Sequence, residues 1–436
     1  MTSRQQSTRG PKNALHKAAF LGSTRGVLAL LSQGSFDVDQ GCEDGATPLM
    51  LASYNDSPGV VRALLDAGAS VSLAKDDGIT ALFSAADSGS LAVTKMLVEA
   101  GADLETPVID GGTSLHVAAE EGHTAVISAL VEAGASTGSR RRDGATPLYL
   151  AARTGRAEAV RLLLRAKADP LLAFMNYEAG QTFVPLDAGA MFGHSEVVQE
   201  LLRQVGIRGC GGPTRGYNAL RMASLNQHVN IMAILTDAGV FDTGEALLNA
   251  VQHGHEEAVK FLVKRFGGVA RRGKAYVDAR DAQDRAPLQL SLEACQPCSP
   301  RIMRLLIDAG ANTSTPVRID TDRTVSFFNP LVYVTKLRNY QKRDGKIVSE
   351  QQWNTLEAIR NLLLREGAVH ATSWLWPRVV PSPARAARGS GSTETPSTSL
   401  GMMLPTLRRR SESRRRTLVR TMFRHSSKKD RAPPTG

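Results

Sequence analysis

The chain has 436 residues, of which 22% are charged and 5% aromatic, with a net charge of +11. That length admits two or three ordinary domains, and no run of about 18 apolar residues reads as a membrane-spanning helix. Four cysteines, Cys42, Cys210, Cys295 and Cys298, are too few and too scattered for a disulfide framework, which points to a reducing compartment, cytoplasmic or nuclear.

The charge is unevenly placed. From Pro381 onward 13 basic residues face 3 acidic ones, a net +10, which leaves +1 for everything before it. The folded part therefore reads as near neutral and the basicity as a property of the tail. That argues against nucleic-acid binding by the body of the protein.

In chain order, residues 1–11 read as disordered, and MTSRQQSTRGPK lacks the apolar core of a secretory signal. Near Lys12 a helix pair begins. Leu15, His16, Ala18 and Ala19 open its first helix, Gly22 marks the turn, and Val27, Leu28, Leu30 and Leu31 supply the second. Its terminal face is expected to be polar and exposed, as on a capping repeat. Thr47, Thr80, Thr113 and Thr146 then recur at a constant spacing. Each follows an Asp-Gly turn (Asp44-Gly45, Asp77-Gly78, Asp110-Gly111, Asp143-Gly144) and stands where its hydroxyl can cap a helix. Pro48 and Pro147 fit the first helical position. Alanine pairs such as Ala118-Ala119 keep the first helix thin, Val93, Met96 and Leu97 mark the apolar face of a second, and Gly68, Gly101 and Gly134 end second helices. Lys167 replaces that glycine once, which is expected to strain or loosen the helix end.

GATPLMLAS…ALLDAGAS, GITALFSAA…MLVEAGAD and GGTSLHVAA…ALVEAGAS, at a period of 33, resemble the ankyrin repeat. The resemblance implies an all-α solenoid of about ten helix-turn-helix repeats over residues 12–377, regular to about residue 169 and degenerate after it. FMNYEAGQTF lengthens the finger of the sixth repeat, which runs from Val184-Pro185-Leu186. A seventh starts at Asn218-Ala219-Leu220. An eighth, from Ala246-Leu247, has lost its finger, and a ninth runs from Ala286-Pro287-Leu288 to Gly310. The last spans Asn329-Pro330-Leu331 to Gly367 with an insertion of about 17 residues between its helices. Ser373 to Pro377 is expected to cap the array, and residues 378–436 form a disordered basic tail by composition.

No residue pattern points to catalysis or a cofactor. Cys295 and Cys298 form the one CxxC, whereas a structural zinc site needs four ligands, so a loop is the plainer reading. His16 and His116 match the helix-opening position, where the resemblance implies that the imidazole bridges adjacent turns. His123, His194 and His255 follow glycine at inter-helix turns, and none is spaced for a triad or metal site. The sequence also lacks a phosphate-cradling glycine loop, a nucleophile elbow and a kinase signature.

The resemblance further implies that finger tips and the exposed inner positions of each first helix meet a partner protein. In this chain those positions hold Phe20, Leu21, Tyr54, Asn55, Asp87, Ser88, Glu120, Glu121, Arg153, Thr154, Met191 and Phe192, with fingers at Glu43, Asp44, Asp76, Asp77, Ile79, Ile109, Asp110, Arg141 and Arg142. They describe an acidic centre (Asp76, Asp77, Asp87, Asp110, Glu120, Glu121), a basic patch (Arg140, Arg141, Arg142, Arg153) and aromatic or apolar anchors (Phe20, Tyr54, Met191, Phe192). Ordinary solvated residues are the bland alternative. Changing Glu120 and Glu121 together to alanine is expected to weaken binding and leave thermal stability alone.

In the tail, Arg408, Arg409, Arg410 and Arg414, Arg415, Arg416 have the look of an import signal. Leu418, Val419, Met422 and Phe423 among arginines also suit a short amphipathic helix on an acidic surface, and Ser411, Ser413, Thr417 and Ser426 are candidate phosphorylation sites. A solvated tail without a partner is the third reading. The expectation for the whole is a monomeric, non-enzymatic scaffold or adaptor, with no cofactor or small-molecule substrate, that binds another protein on its concave face. A tail-driven nucleic-acid or membrane binder and the recruitment subunit of an enzyme complex such as a ubiquitin ligase are the alternatives.

Overall fold

The Asp-Gly turns set the pattern from which the rest is built. In a computed structural model of the chain, Gly45, Gly78, Gly111 and Gly144 hold φ between 78 and 84°, the left-handed region where a Cβ is disfavoured. The aspartate before each glycine accepts a hydrogen bond from the backbone N–H two residues on, at 2.9–3.3 Å. A backbone bond closes each finger: Cys42 donates to Ala46 (2.9 Å), Lys75 to Ile79 (2.9 Å), Val108 to Gly112 (2.8 Å) and Arg141 to Ala145 (2.9 Å). Two further bonds join fingers to each other, from Ile109 N–H to the Asp77 carbonyl and from Arg142 N–H to the Asp110 carbonyl, both 2.9 Å.

The structure describes residues 14–34, 36–176, 180–267, 270–271, 274–293, 299–313, 317–320, 324–328, 330–331, 334, 350–365 and 380–381. The terminal tail, the Cys295/Cys298 pair, Ser373 to Pro377 and most of the insertion in the last repeat lie outside them. The described residues divide into two units, the first containing residues 14–147 and 165–168 and the second residues 148–164 and 169–381.

The first unit consists of four helix pairs: α1 (Ala14–Phe20), α2 (Thr24–Leu31), α3 (Pro48–Tyr54), α4 (Pro58–Asp66), α5 (Ala81–Ser88), α6 (Leu91–Glu99), α7 (Ser114–Glu121) and α8 (Thr124–Glu132). First helices pack in one row (α1, α3, α5, α7) and second helices in another (α2, α4, α6, α8). Thr47 and Thr80 cap their helices by accepting from Met50 and Phe83 N–H at 3.3 and 3.1 Å. The alanine pairs are buried, Ala85, Ala86, Ala118 and Ala119 all at 0% exposure, so the helix rows approach closely around Leu49, Leu82, Leu115 and Leu130. The terminal face departs from the expected polar cap, since Leu28 on α2 is 53% exposed.

Helices α9 (Pro147–Thr154) and α10 (Ala157–Arg165) lead into α11 (Pro185–Met191), α12 (Ser195–Gly209), α13 (Gly212–Leu225), α14 (Val229–Asp237), α15 (Glu245–Gln252), α16 (Glu256–Phe266), α17 (Pro287–Glu293), α18 (Pro300–Asp308) and α19 (Glu350–Arg365). Within the second unit the helices again form two rows, α11–α13–α15–α17 and α12–α14–α16–α18–α19. The connectors are what change. The long sixth finger is a hairpin, β1 (Phe174–Asn176) against β2 (Gln181–Phe183), and Phe174 stacks on Tyr149 of α9 with ring centroids 4.8 Å apart. The seventh repeat starts earlier than the sequence indicates, because α13 begins at Gly212 rather than near Asn218. There α12 itself continues to Gly209 through a break at Gly206 (φ 65°, ψ 173°), so helix replaces finger.

Among the described residues the second unit also holds three small antiparallel sheets: β1–β2, then β3 (Ala270–Arg271) with β4 (Lys274–Ala275), then β5 (Val317–Asp320), β6 (Thr324–Phe328) and β7 (Val380–Pro381) in that order. Val380 and Pro381, assigned to the tail by composition, pair with Val325 and Thr324. Lys167 does not loosen its helix end. It takes φ 63°, the conformation that Gly68, Gly101 and Gly134 adopt at 85, 83 and 99°, and so carries backbone strain that those glycines avoid.

Candidate protein-binding face

The same local rules that build the repeats place their candidate contact residues. In the first unit Phe20, Tyr54, Asp87, Glu120 and Glu121 stand half-buried at the C-terminal ends of α1, α3, α5 and α7. The first three ends are held by bonds to the next repeat. Asn55 Nδ2 donates to the Phe20 carbonyl (3.0 Å), Ser88 Oγ to the Ser53 carbonyl (3.2 Å), and the His123 ring to the Asp87 carbonyl (3.0 Å). Glu43, Asp76 and Arg142 are exposed at finger tips, and Asp77 and Asp110 are half-buried. Two apolar side chains stand out in water: Leu21, beyond the end of α1, at 62% exposure and Ile109, on a finger tip, at 61%. Arg153, Met191 and Phe192 belong to the second unit, half-buried at the ends of α9 and α11.

Charge pairing changes the expected pattern. Arg141 does not belong to a separate basic patch. Its side chain is 14% exposed, 3.0 Å from Glu120 and 3.9 Å from Asp110, so it sits inside the acidic centre. Lys75 has the same role on an earlier finger, 2.9 Å from Asp44 and 3.8 Å from Asp77. The sequence held a signal for this, because Lys75 and Arg141 occupy the same finger position, each two places before an Asp-Gly pair. The pairing also corrects the expectation for the Glu120/Glu121 double alanine change. Removing Glu120 strands a largely buried guanidinium and lowers stability as well as any affinity.

A second correction concerns net charge. Residues 14–147 hold 8 basic and 17 acidic side chains, a net −9, whereas residues 148–381 hold 29 and 22, a net +7. The near-neutral total hides two opposed regions.

The histidines are structural fixtures. His116 Nε2 lies 3.2 Å from the Ala145 carbonyl, and Nδ1 lies 3.1 Å from Thr113 N–H and 2.9 Å from its hydroxyl. A carbonyl at one nitrogen and an N–H at the other define the neutral tautomer with its proton on Nε2. Burial, with the positive field of Arg141, lowers its pKa to about 4. His16 reaches the Ala46 carbonyl in the same way at 3.2 Å, and burial lowers its pKa too. The turn histidines form a seam that the sequence reading missed. His123 lies over Gly89, His194 over Gly155 and His228 over Gly193, so that a Cβ on the glycine would come within 2.6–2.7 Å of the ring. His194 and His228 bond the Arg153 and Met191 carbonyls at 3.0 and 3.3 Å.

Other polar groups in the second unit serve the frame. Glu200 accepts from Arg203 (2.7 Å), Gln204 (2.9 Å) and Arg161 (3.0 Å); the Arg203 hydrogen bonds above all hold its carboxyl down to about 2 despite burial. Burial, with the Asp187 carboxylate nearby, pushes the Cys210 thiol up to about 12, which keeps it unreactive. Among the described residues no group of three or more His, Cys, Asp or Glu side chains is placed to hold a metal ion. No helix among them is long and apolar enough to cross a membrane.

Stacked helix pairs opened by hairpin fingers define a helical-repeat protein. The family model for ankyrin repeats (3 copies) matches residues 15–108 and 82–173, so residues 15–173 are an ankyrin-repeat region. No curated protein matches the chain. Ankyrin repeats are in general protein–protein interaction modules.

Proposed function

We propose that this protein is a non-enzymatic adaptor whose first unit recruits a partner protein along its finger tips and first-helix ends. The observation that carries the reading is the exposure of Leu21 and Ile109, at 62 and 61%, within a region of net charge −9. Isolated exposed apolar residues are common. Here they stand at the positions that ankyrin arrays present, Leu21 next in sequence to Phe20 and Ile109 next to Asp110. The partner segment is basic with apolar anchors rather than evenly mixed in charge, since Lys75 and Arg141 are already engaged by carboxylates. Preorganisation supplies the affinity, because fingers tied by backbone hydrogen bonds lose little entropy on binding.

The test is affinity capture from a lysate by the full chain and by an Ile109→Ser, Asp76→Lys variant. Both positions are exposed, so the fold is retained. Loss of a protein that the unchanged chain captures supports the reading; an identical set of captured proteins overturns it.

A further inference from the structure

The acidic region and the basic tail belong to one chain, and together they suggest an intramolecular contact. We propose that the arginine-rich segment 408–424 docks in cis on the finger-side face of the first unit and competes there with outside partners. The inference rests on the reading of that face as a binding surface and adds its first occupant.

Charge complementarity is the first argument. The tail carries +10 against −9 for residues 14–147. The carboxylates also differ in what they have left to offer. Asp44 and Asp77 share Lys75, and Asp110 and Glu120 share Arg141, but Asp76 is exposed at its tip and makes no ion pair among the described residues. A guanidinium reaching this tip meets a solvated carboxylate and needs to break no internal pair.

The apolar pattern is the second argument. Leu418, Val419, Met422 and Phe423 alternate with Arg416, Arg420 and Arg424. The first unit offers the same two chemistries, with Leu21 and Ile109 in water and the exposed carboxylates of Glu43 and Asp76 at finger tips. A purely solvated basic tail has no use for four large apolar side chains set so closely.

Reach is the third. The described chain ends at Pro381, paired with β6, and the segment 382–407 separates it from Arg408. Extended, a segment of that length spans up to about 90 Å. Tethering raises the local concentration of the arginine-rich segment, so a contact that is weak between separate molecules is populated within one.

The test uses a labelled peptide of residues 404–431. It is titrated into the full chain and into a full-length variant with Arg408, Arg409, Arg410, Arg414, Arg415 and Arg416 all changed to Gln. The variant, its face vacated, should bind the peptide at least tenfold more tightly than the unchanged chain, with affinity falling steeply as salt rises. Adding Glu43→Lys and Asp76→Lys to the variant should abolish that gain. Equal binding by both chains, no binding by either, or a gain that survives the lysine changes overturns the proposal. So does a monomer–dimer equilibrium that disappears in the tail variant, which would mean exchange between copies. If the peptide result is negative while partner capture still depends on Asp76 and Ile109, the cis contact fails and the adaptor reading stands.

Discussion

The two regions of this array solve one problem in two ways. Each first helix leaves unpaired N–H groups at its start, and burial makes leaving them so expensive. In the regular repeats the spelling is uniform, with a threonine cap, an Asp-Gly finger and, at His16 and His116, an imidazole that braces the next finger. Beyond residue 173, where the family match ends, the spelling varies but the bond persists. Val184 N–H donates to the Asp187 carboxylate at 3.0 Å and Ala286 N–H to the Gln289 carbonyl at 2.6 Å, in the position where Thr113 N–H donates to His116. At α15 the buried Asp242 accepts from both Ala246 and Leu247 at 3.2 Å and is itself bonded by Tyr276 of the next repeat. Backbone satisfaction is the constraint; threonine and histidine are one way to meet it.

Four measurements sharpen or break that contrast. The largest effect is expected at the seam. Gly89 and Gly68 share a left-handed φ, 78 and 85°, but a Cβ at Gly89 meets the His123 ring at 2.6 Å and one at Gly68 meets nothing within 4 Å. Gly89→Ala should cost roughly 2–5 kcal/mol and Gly68→Ala about 1–2, by denaturant unfolding. Equal costs would mean that the ring moves aside freely.

Next comes pH. His116 holds a folded pKa near 4 against an ordinary 6.5, so the unfolded chain takes up the proton first. Its contribution is therefore complete above 6.5 and is lost as pH falls toward 4, by roughly 2 kcal/mol at pH 5. His16, His228 and His255 shift in the same direction through burial. Below 4.5 Glu200, with its pKa near 2, adds a further loss. His116→Gln, which borrows the chemistry of Gln289, should keep the cap and flatten the slope between pH 7 and 5. An unchanged slope would assign the titration elsewhere.

Tyr276→Phe should cost about 1–2 kcal/mol in thermal or urea unfolding, the loss of one buried bond to Asp242; a neutral result would show that Asp242 caps α15 without help. Smallest is Lys167→Gly, expected to stabilise by about 1 kcal/mol through relief of its φ of 63°. A destabilised variant would mean that the lysine side chain contributes more than the strain removes.

What was legible in the sequence follows from this. Thr47, Thr80 and the glycine stops are local devices with fixed spelling, so the helix pairs of the regular half could be read directly. The VPLD and APLQ repeats were found by their apolar pattern, but the capping roles of Asp187 and Gln289 went unseen because the side chain had changed while the bond had not. The start of α13 was misplaced because no finger spells it. The candidate face was visible as a set of positions and misread in charge. Arg141 sits on a finger and Glu120 at the end of the preceding first helix, and the one signal that they meet, the finger position that Arg141 shares with Lys75, is seen only by comparing repeats. The opposition of −9 and +7 cancels in any total taken over both regions.

The histidine seam bears on how such an array can change over generations. Gly89 belongs to one helix pair and His123 to the next, so neither pair is complete by itself. A duplication or deletion that cuts in the finger between α6 and α7 leaves a ring without its glycine or a glycine facing a side chain that does not fit. The segment that can be copied without such damage carries the glycine end of one first helix together with the histidine turn that follows it. The inherited module is thus offset from the folded repeat by half a helix pair, and lineages that gained or lost repeats would be expected to show their joints in the turns between first and second helices rather than in the fingers.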